Sequence, residues 1–311
     1  MALPYLPPSA ARVKHRALYA SVLRELPSAV EARQRTSHSK TPSPPCVFIL
    51  DWDDTCCATS FLERSGFMAD LDSRIDEFAP EEARLLRVLE HRVLSLLKTA
   101  VSLGTVLIVT NAGDGWVELS SSRFLPAVRA FLEANYRSIN VISARARYVD
   151  VYREDPLQWK ARTFADELDA FYHASSQPFQ PLHVVVLGDS VGDRYAAHVA
   201  ASALIEAGKP IVLKVVKFLE RPSIDQLCKE LEVLLDHILA MTTYQGPFDV
   251  SMYKSPLRST QPHYHTHVNP SPSKLRAEPL SPSSIQQQPS DSLSNSSLDA
   301  AIAQVSPMAT C

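Results

Sequence analysis

CVFILDWDDT, residues 46–55, runs from five apolar residues straight into three carboxylates and a hydroxyl. An apolar run bounded so abruptly by Asp predicts a strand over Cys46–Leu50, buried on both faces. Asp51, Asp53, Asp54 and Thr55 then fall just past its carboxyl end. The pattern recurs downstream. TVLIVTN (105–111) ends in Thr110 and Asn111, and HVVVLGDSVGD (183–193) ends in Asp189 and Asp193. INVIS (139–143) and IVLKVV (211–216) complete five predicted strands. Between them the apolar period becomes helical. Glu82 to Leu103 carries Leu85, Leu86, Leu89, Val93, Leu96, Leu97 and Ala100 on one stripe. Segments 121–135, 158–173, 194–207 and 224–241 also read as helices. Strands this apolar need helices on both sides. The expected fold class is therefore α/β, a doubly wound parallel sheet with ligands at the carboxyl ends of its strands.

Proline and glycine mark where that domain stops. Of 23 prolines, seven lie between Cys46 and Gln245, seven before and nine after; seven of the eight glycines fall in the same central stretch. Three regions are expected: an N-terminal helix and linker (1–45), the α/β domain (46–245) and a Ser/Pro-rich tail (246–311). In the first, Leu18, Val22 and Leu26 recur every fourth residue, giving either a helix packed on the domain or a partner-binding arm. The tail holds 14 serines and nine prolines. It buries too little apolar surface to offset its ordering entropy, so disorder is expected. Its Ser-Pro steps, as in SPLR (255–258) and SPSK (271–274), are candidate sites for proline-directed kinases or docking, and HYHTH (263–267) is a weak metal-binding pattern.

Composition narrows the function classes. The chain has 311 residues, 45% hydrophobic and 21% charged, with a net charge of −3. Such a balance gives no support to nucleic-acid or membrane binding through bulk charge. No run approaches the roughly 18 apolar residues of a membrane span. Prolines interrupt the N-terminus where a secretory signal needs a continuous apolar core. Five scattered cysteines without metal-type spacing fit free thiols in a reducing compartment. A soluble, cytoplasmic protein is expected.

The strand ends carry the chemistry. Asp51, Asp189 and Asp193 would meet at one sheet edge, and three close carboxylates repel unless protonated or given a counter-charge. A hard cation with oxygen ligands, Mg²⁺, suits the set better than zinc. Lys160 starts the helix before the fourth strand and, with Thr110, adds a positive charge and a donor suited to a phosphoryl group.

Together these segments resemble the haloacid dehalogenase (HAD) superfamily of phosphohydrolases. DWDDT is similar to its first motif, VLIVTN to the second, Lys160 to the third and LGDSVGD to the fourth, in order, over roughly residues 46–220. Arg153 and Arg162 are nearby substitutes for Lys160. The resemblance implies Asp51 as nucleophile, Asp53 as general acid and base, Thr110 on the transferring phosphoryl group and Lys160 as charge neutraliser. It also implies Mg²⁺ held by Asp51, Asp189 and Asp193, with the backbone carbonyl of Asp53 as a further ligand. An acid at Asp53 marks phosphatases over dehalogenases. About 49 residues separate Thr55 from Thr105, and one helix takes nearly half. No full cap domain fits there, nor in the second gap. A capless site favours a bulky phosphorylated substrate, a phosphoprotein or else a metabolite; similar capless sequences are known in plants and protists. The alternative is a catalytically silent binding module on the same fold. Asp54 and Thr55 are expected to shape the loop, and Trp52 to pack on the sheet or stack on substrate. GDGW (113–116) is either a substrate-facing loop or a tight turn, and the stretch 56–81 with Phe61, Phe67, Met68 and Phe78 a small flap.

Overall fold

The computed structural model describes residues 45–68, 78–153, 155–174 and 180–252. The expected N-terminal helix, the Ser-Pro steps and the HYHTH pattern lie outside these residues. The described chain forms strands β1 (Cys46–Leu50), β2 (Thr105–Thr110), β3 (Ile139–Ser143), β4 (Leu182–Gly188), β5 (Ile211–Lys217) and β6 (Phe248–Ser251). All pair in parallel, in the order β3-β2-β1-β4-β5-β6. The doubly wound α/β class is therefore as expected.

Eight helices accompany them among the described residues: α1 (Thr59–Arg64), α2 (Pro80–Leu103), α3 (Trp116–Phe124), α4 (Pro126–Ala134), α5 (Ala144–Tyr148), α6 (Pro156–Ala174), α7 (Val191–Glu206) and α8 (Ile224–Thr243). Strand alternation splits the core into two layers. Val47, Ile49, Leu107, Val109, Val184, Val186, Leu213 and Val215 pack with Trp159, Phe164 and Leu168 of α6 and the alanines of α7. Phe48, Leu50, Val106, Ile108, Val185, Leu187 and Val216 are buried on the opposite face. There α2 and α8 pack on each other and on the sheet.

The winding order positions the site. The chain steps outward from β1 to β3, then crosses back to place β4 on the other side of β1. Connections leaving β1 and β4 diverge at this switch point, which opens a crevice at their carboxyl ends. Leu50 pairs with Ile108 on one side and Leu187 on the other, so Asp51 emerges between β2 and β4.

Four details differ from expectation. A sixth strand, β6, lies beyond the expected domain boundary at residue 245, and Val250 and Met252 are buried. The helix expected over 121–135 is two helices: Pro126 excludes the α conformation from Leu125, whose φ of −140° and ψ of 58° break the path. The short helices α1 and α5 carry too few residues for a periodic signal. Finally, α7 begins at Val191, three residues earlier than expected, because Ser190 and Asp193 form a capping box.

None of the described connections holds a separate cap domain. Between β1 and α2 there is α1, and Phe67 stacks on Phe78 with ring centroids 3.6 Å apart. The rest of the expected flap, residues 69–77, lies outside the described residues.

Candidate functional site

Three carboxylates meet at the crevice. Asp51 follows β1, while Asp189 and Asp193 come from the turn after β4 and the first turn of α7. Each offers an oxygen within 4.8 Å of the others, a set that could hold a metal ion. Asp51 and Asp193 are buried, with 6% and 2% of their surface exposed. Lys160, on the first turns of α6, lies between them. Its Nζ donates to Asp51 Oδ1 at 2.6 Å and to Asp193 Oδ1 at 2.5 Å. Arg153 and Arg162 are exposed, and Arg162 stacks over Tyr152 instead. Among the described residues, Lys160 is therefore the basic residue that the fold brings to the carboxylates.

One ammonium does not balance three carboxylates, and burial together with the neighbouring charge raises two of them, Asp51 and Asp189. Burial, then Asp193, raise Asp51 well above the usual carboxylate range despite Lys160. Burial and Asp193 push Asp189 up to about 8. Burial alone would lower Lys160, yet Asp193 and Asp51 more than reverse this and hold it firmly protonated. A cluster this short of positive charge is chemically suited to a cation, and its all-oxygen donors suit a hard one.

Asp193 has a second duty. Its Oδ2 accepts from the Ser190 amide at 3.1 Å and the Ser190 hydroxyl at 2.6 Å, while Ser190 Oγ caps the Asp193 amide. The capping box thus fixes the carboxyl that faces Lys160. Gly188 makes room for it: a Cβ there would lie 2.5 Å from Asp193 Cβ and Cγ.

Asp53 is oriented differently from Asp51. Its Oδ1 accepts from Thr59 Oγ1 at 2.7 Å and from Trp116 Nε1 at 2.8 Å, and its Oδ2 from Thr110 Oγ1 at 2.9 Å. Its carboxyl is not part of the three-carboxylate group. Thr110 is brought to the site, but its hydroxyl proton is directed to Asp53, and its oxygen accepts from the Ala112 amide at 2.9 Å. Asp54 shapes the loop as expected. Its φ of 53° is left-handed, and its Oδ1 accepts from the Ser60 amide at 2.9 Å. Trp52 is fully buried and donates to Ser120, so packing is its role. Gly115, at φ 80°, forms the tight turn that leads into α3.

Compared with protein-family models, curated proteins and solved structures, this chain matches none. The geometry of the crevice therefore has to carry the functional reading.

Two residues at the site have no assignment from the sequence, Thr59 and Ser190, and Trp116 is named there only as the end of the GDGW loop. Ser190 was findable, since Ser-x-x-Asp before a helix is a capping-box pattern. Thr59 and Trp116 had no such signal, because they meet Asp53 only through the turns that follow β1 and β2. Among the described residues no helix is long and apolar enough to cross a membrane.

Proposed function

We propose that this chain is a Mg²⁺-dependent phosphomonoester hydrolase that works through an aspartyl-phosphate on Asp51, as its resemblance to the HAD superfamily implies. The observation that carries the reading is the division between two carboxyls two residues apart. Asp51 lies inside the carboxylate cluster with Lys160 on one oxygen. Asp53 is turned out of the cluster and held by three donors. A nucleophile needs its charge held near the substrate, whereas a general acid and base needs a separate, oriented position.

The steps follow from these positions. The free oxygen of Asp51 attacks phosphorus, and the bond from phosphorus to the ester oxygen breaks. Asp53 delivers a proton to that leaving oxygen. Asp53 then takes a proton from water as the water oxygen attacks phosphorus, which releases phosphate and restores Asp51. Lys160 holds the charge of Asp51 and Asp193 throughout. Asp51, Asp189 and Asp193 would hold the cation, with the Asp53 backbone carbonyl as a further ligand. When bound, Mg²⁺ supplies positive charge for the phosphoryl oxygens. The lack of a cap among the described connections fits a bulky substrate such as a phosphoprotein. Four buried free thiols, Cys46, Cys56, Cys57 and Cys228, fit a reducing compartment, the cytosol.

The test is hydrolysis of p-nitrophenyl phosphate with and without Mg²⁺, beside Asp51→Asn. Mg²⁺-dependent turnover is expected, falling by at least about a thousandfold in the variant. Equal turnover by Asp51→Asn would refute the mechanism. Metal binding without any turnover would favour the silent binding module.

A further inference from the structure

Trp116 opens α3, six residues beyond Thr110, and is 1% exposed. An indole N–H can only donate, and this one donates to Asp53 Oδ1. Helix α3 and the DWDDT loop are joined a second time, in the reverse direction. Trp52 of the loop donates to Ser120 Oγ at 2.9 Å, and Ser120 Oγ donates to the Trp116 carbonyl at 2.7 Å. Loop and helix thus each give one buried indole to the other. With Thr59 on the same oxygen, Asp53 Oδ1 has both lone pairs engaged. Only Oδ2, beside Thr110, keeps capacity for a proton.

We infer that Trp116 is a positioning residue that clamps Asp53 through Oδ1, so that its transferable proton resides on Oδ2 and its carboxyl stays out of the metal cluster. The inference rests on the phosphatase reading for its chemistry, but its geometry is separate. An unclamped Asp53, two residues from Asp51, could turn toward the three carboxylates and, in the steps where it has given up its proton, add a fourth negative charge. It would also lose the alignment on which proton delivery depends, where small misplacements are costly.

The experiment compares wild type, Trp116→Phe, Thr59→Val and Asp53→Asn with Mg²⁺ present. Two substrates are used: p-nitrophenyl phosphate, whose leaving group needs little protonation, and a simple alkyl phosphate, whose leaving group needs much. Trp116→Phe is expected to lower kcat for the alkyl phosphate by about ten- to a hundredfold, and for p-nitrophenyl phosphate by less than about threefold, with KM unchanged. Thr59→Val, a smaller perturbation, is expected to shift the ratio in the same direction. Equal losses on both substrates would mark a merely structural role and overturn the proposal. A second readout needs no turnover. The chain has three tryptophans, so its ¹H–¹⁵N spectrum holds three indole signals. The one deleted by Trp116→Phe is expected to move in Asp53→Asn while the other two stay. If it does not move, the clamp is refuted. If it moves in Asp53→Asn but the wild type hydrolyses neither substrate, the clamp stands and the phosphatase reading fails.

Discussion

Lys160 faces two buried carboxylates at once, so its loss leaves both without their counter-charge. Removing one member of a buried ion pair costs about 3–5 kcal/mol. In a domain of this size that corresponds to a fall in melting temperature of roughly 6–20 °C. Lys160→Met is expected to show this fall without divalent cation and to recover most of it when Mg²⁺ is added. Recovery would mean that the cation and the ammonium neutralise the same charge; an equal deficit in both conditions would disprove that. Gly188 tests the same cluster sterically. Its missing Cβ is what lets Asp193 approach the end of β4. A ligand at a hundredfold excess over its Kd stabilises a protein by about 2.7 kcal/mol. Gly188→Ala is expected to reduce the Mg²⁺-induced rise in melting temperature to less than about half that of wild type.

Strand β6 shows how tertiary context makes an element from a weak local signal. FDVS is four residues long and follows a Gly-Pro step. What holds it is its surroundings. Asp249 accepts from Arg194 Nε and His198 Nε2 of α7, both at 2.7 Å, and the Met252 amide donates to the Lys217 carbonyl at 2.7 Å. Val250 and Met252 bury their side chains. Burial of two such residues is worth about 2–3 kcal/mol even when partial. A chain ending at Gln245 is therefore expected to melt roughly 4–12 °C below one ending at Met252, by calorimetry. Equal melting temperatures would mean that β6 adds nothing to the domain.

For the molecule as a whole, two buried groups away from the crevice contribute opposing slopes of stability against pH. Glu230 of α8 is fully buried, with Oε1 accepting the Leu219 amide at 2.7 Å and Oε2 without a partner. Burial raises it from 4.5 to about 8. A raised acid contributes stability in full below its unfolded value and loses it as pH rises through the folded one. Lys214 of β5, also fully buried, donates to the Met241 carbonyl at 2.5 Å and caps the end of α8. Burial lowers it from 10.5 to about 8, so its unfolded form binds more protons between these values and stability rises across that interval. His183, lowered by burial and by Lys214, opposes Glu230 only below its ordinary 6.5. Without metal, Glu230 acts together with Asp51 and Asp189, so stability is expected to fall between about pH 6.5 and 8. Above about 8 the rising contribution of Lys214 is opposed by Asp51 and by the buried thiols Cys46, Cys56, Cys57 and Cys228, which burial also raises. Glu230→Gln should make that fall shallower, and Lys214→Met should remove a rising contribution between about 8 and 10.5, read as melting temperature against pH. An unchanged slope in either variant would exclude that group as its source.

Much of this was legible in residue order. Apolar runs that stop at Asp or Thr gave strands buried on both faces, and helical stripes between them required parallel crossovers. Strand ends then had to share one edge, so Asp51, Thr110 and Asp189 could be brought together before any coordinate was known. Local rules also contain the break at Pro126 and the Ser190 cap. They do not contain the distance from Trp116 to Asp53, the choice of Lys160 over Arg153 and Arg162, or the pairing of β6. Each of these depends on how far a helix has turned when its side chain reaches the sheet edge. Period and composition fix which face of a helix is buried. Only the packed sheet, with its winding order and register, fixes which polar group at that face lies within hydrogen-bond reach of a carboxylate.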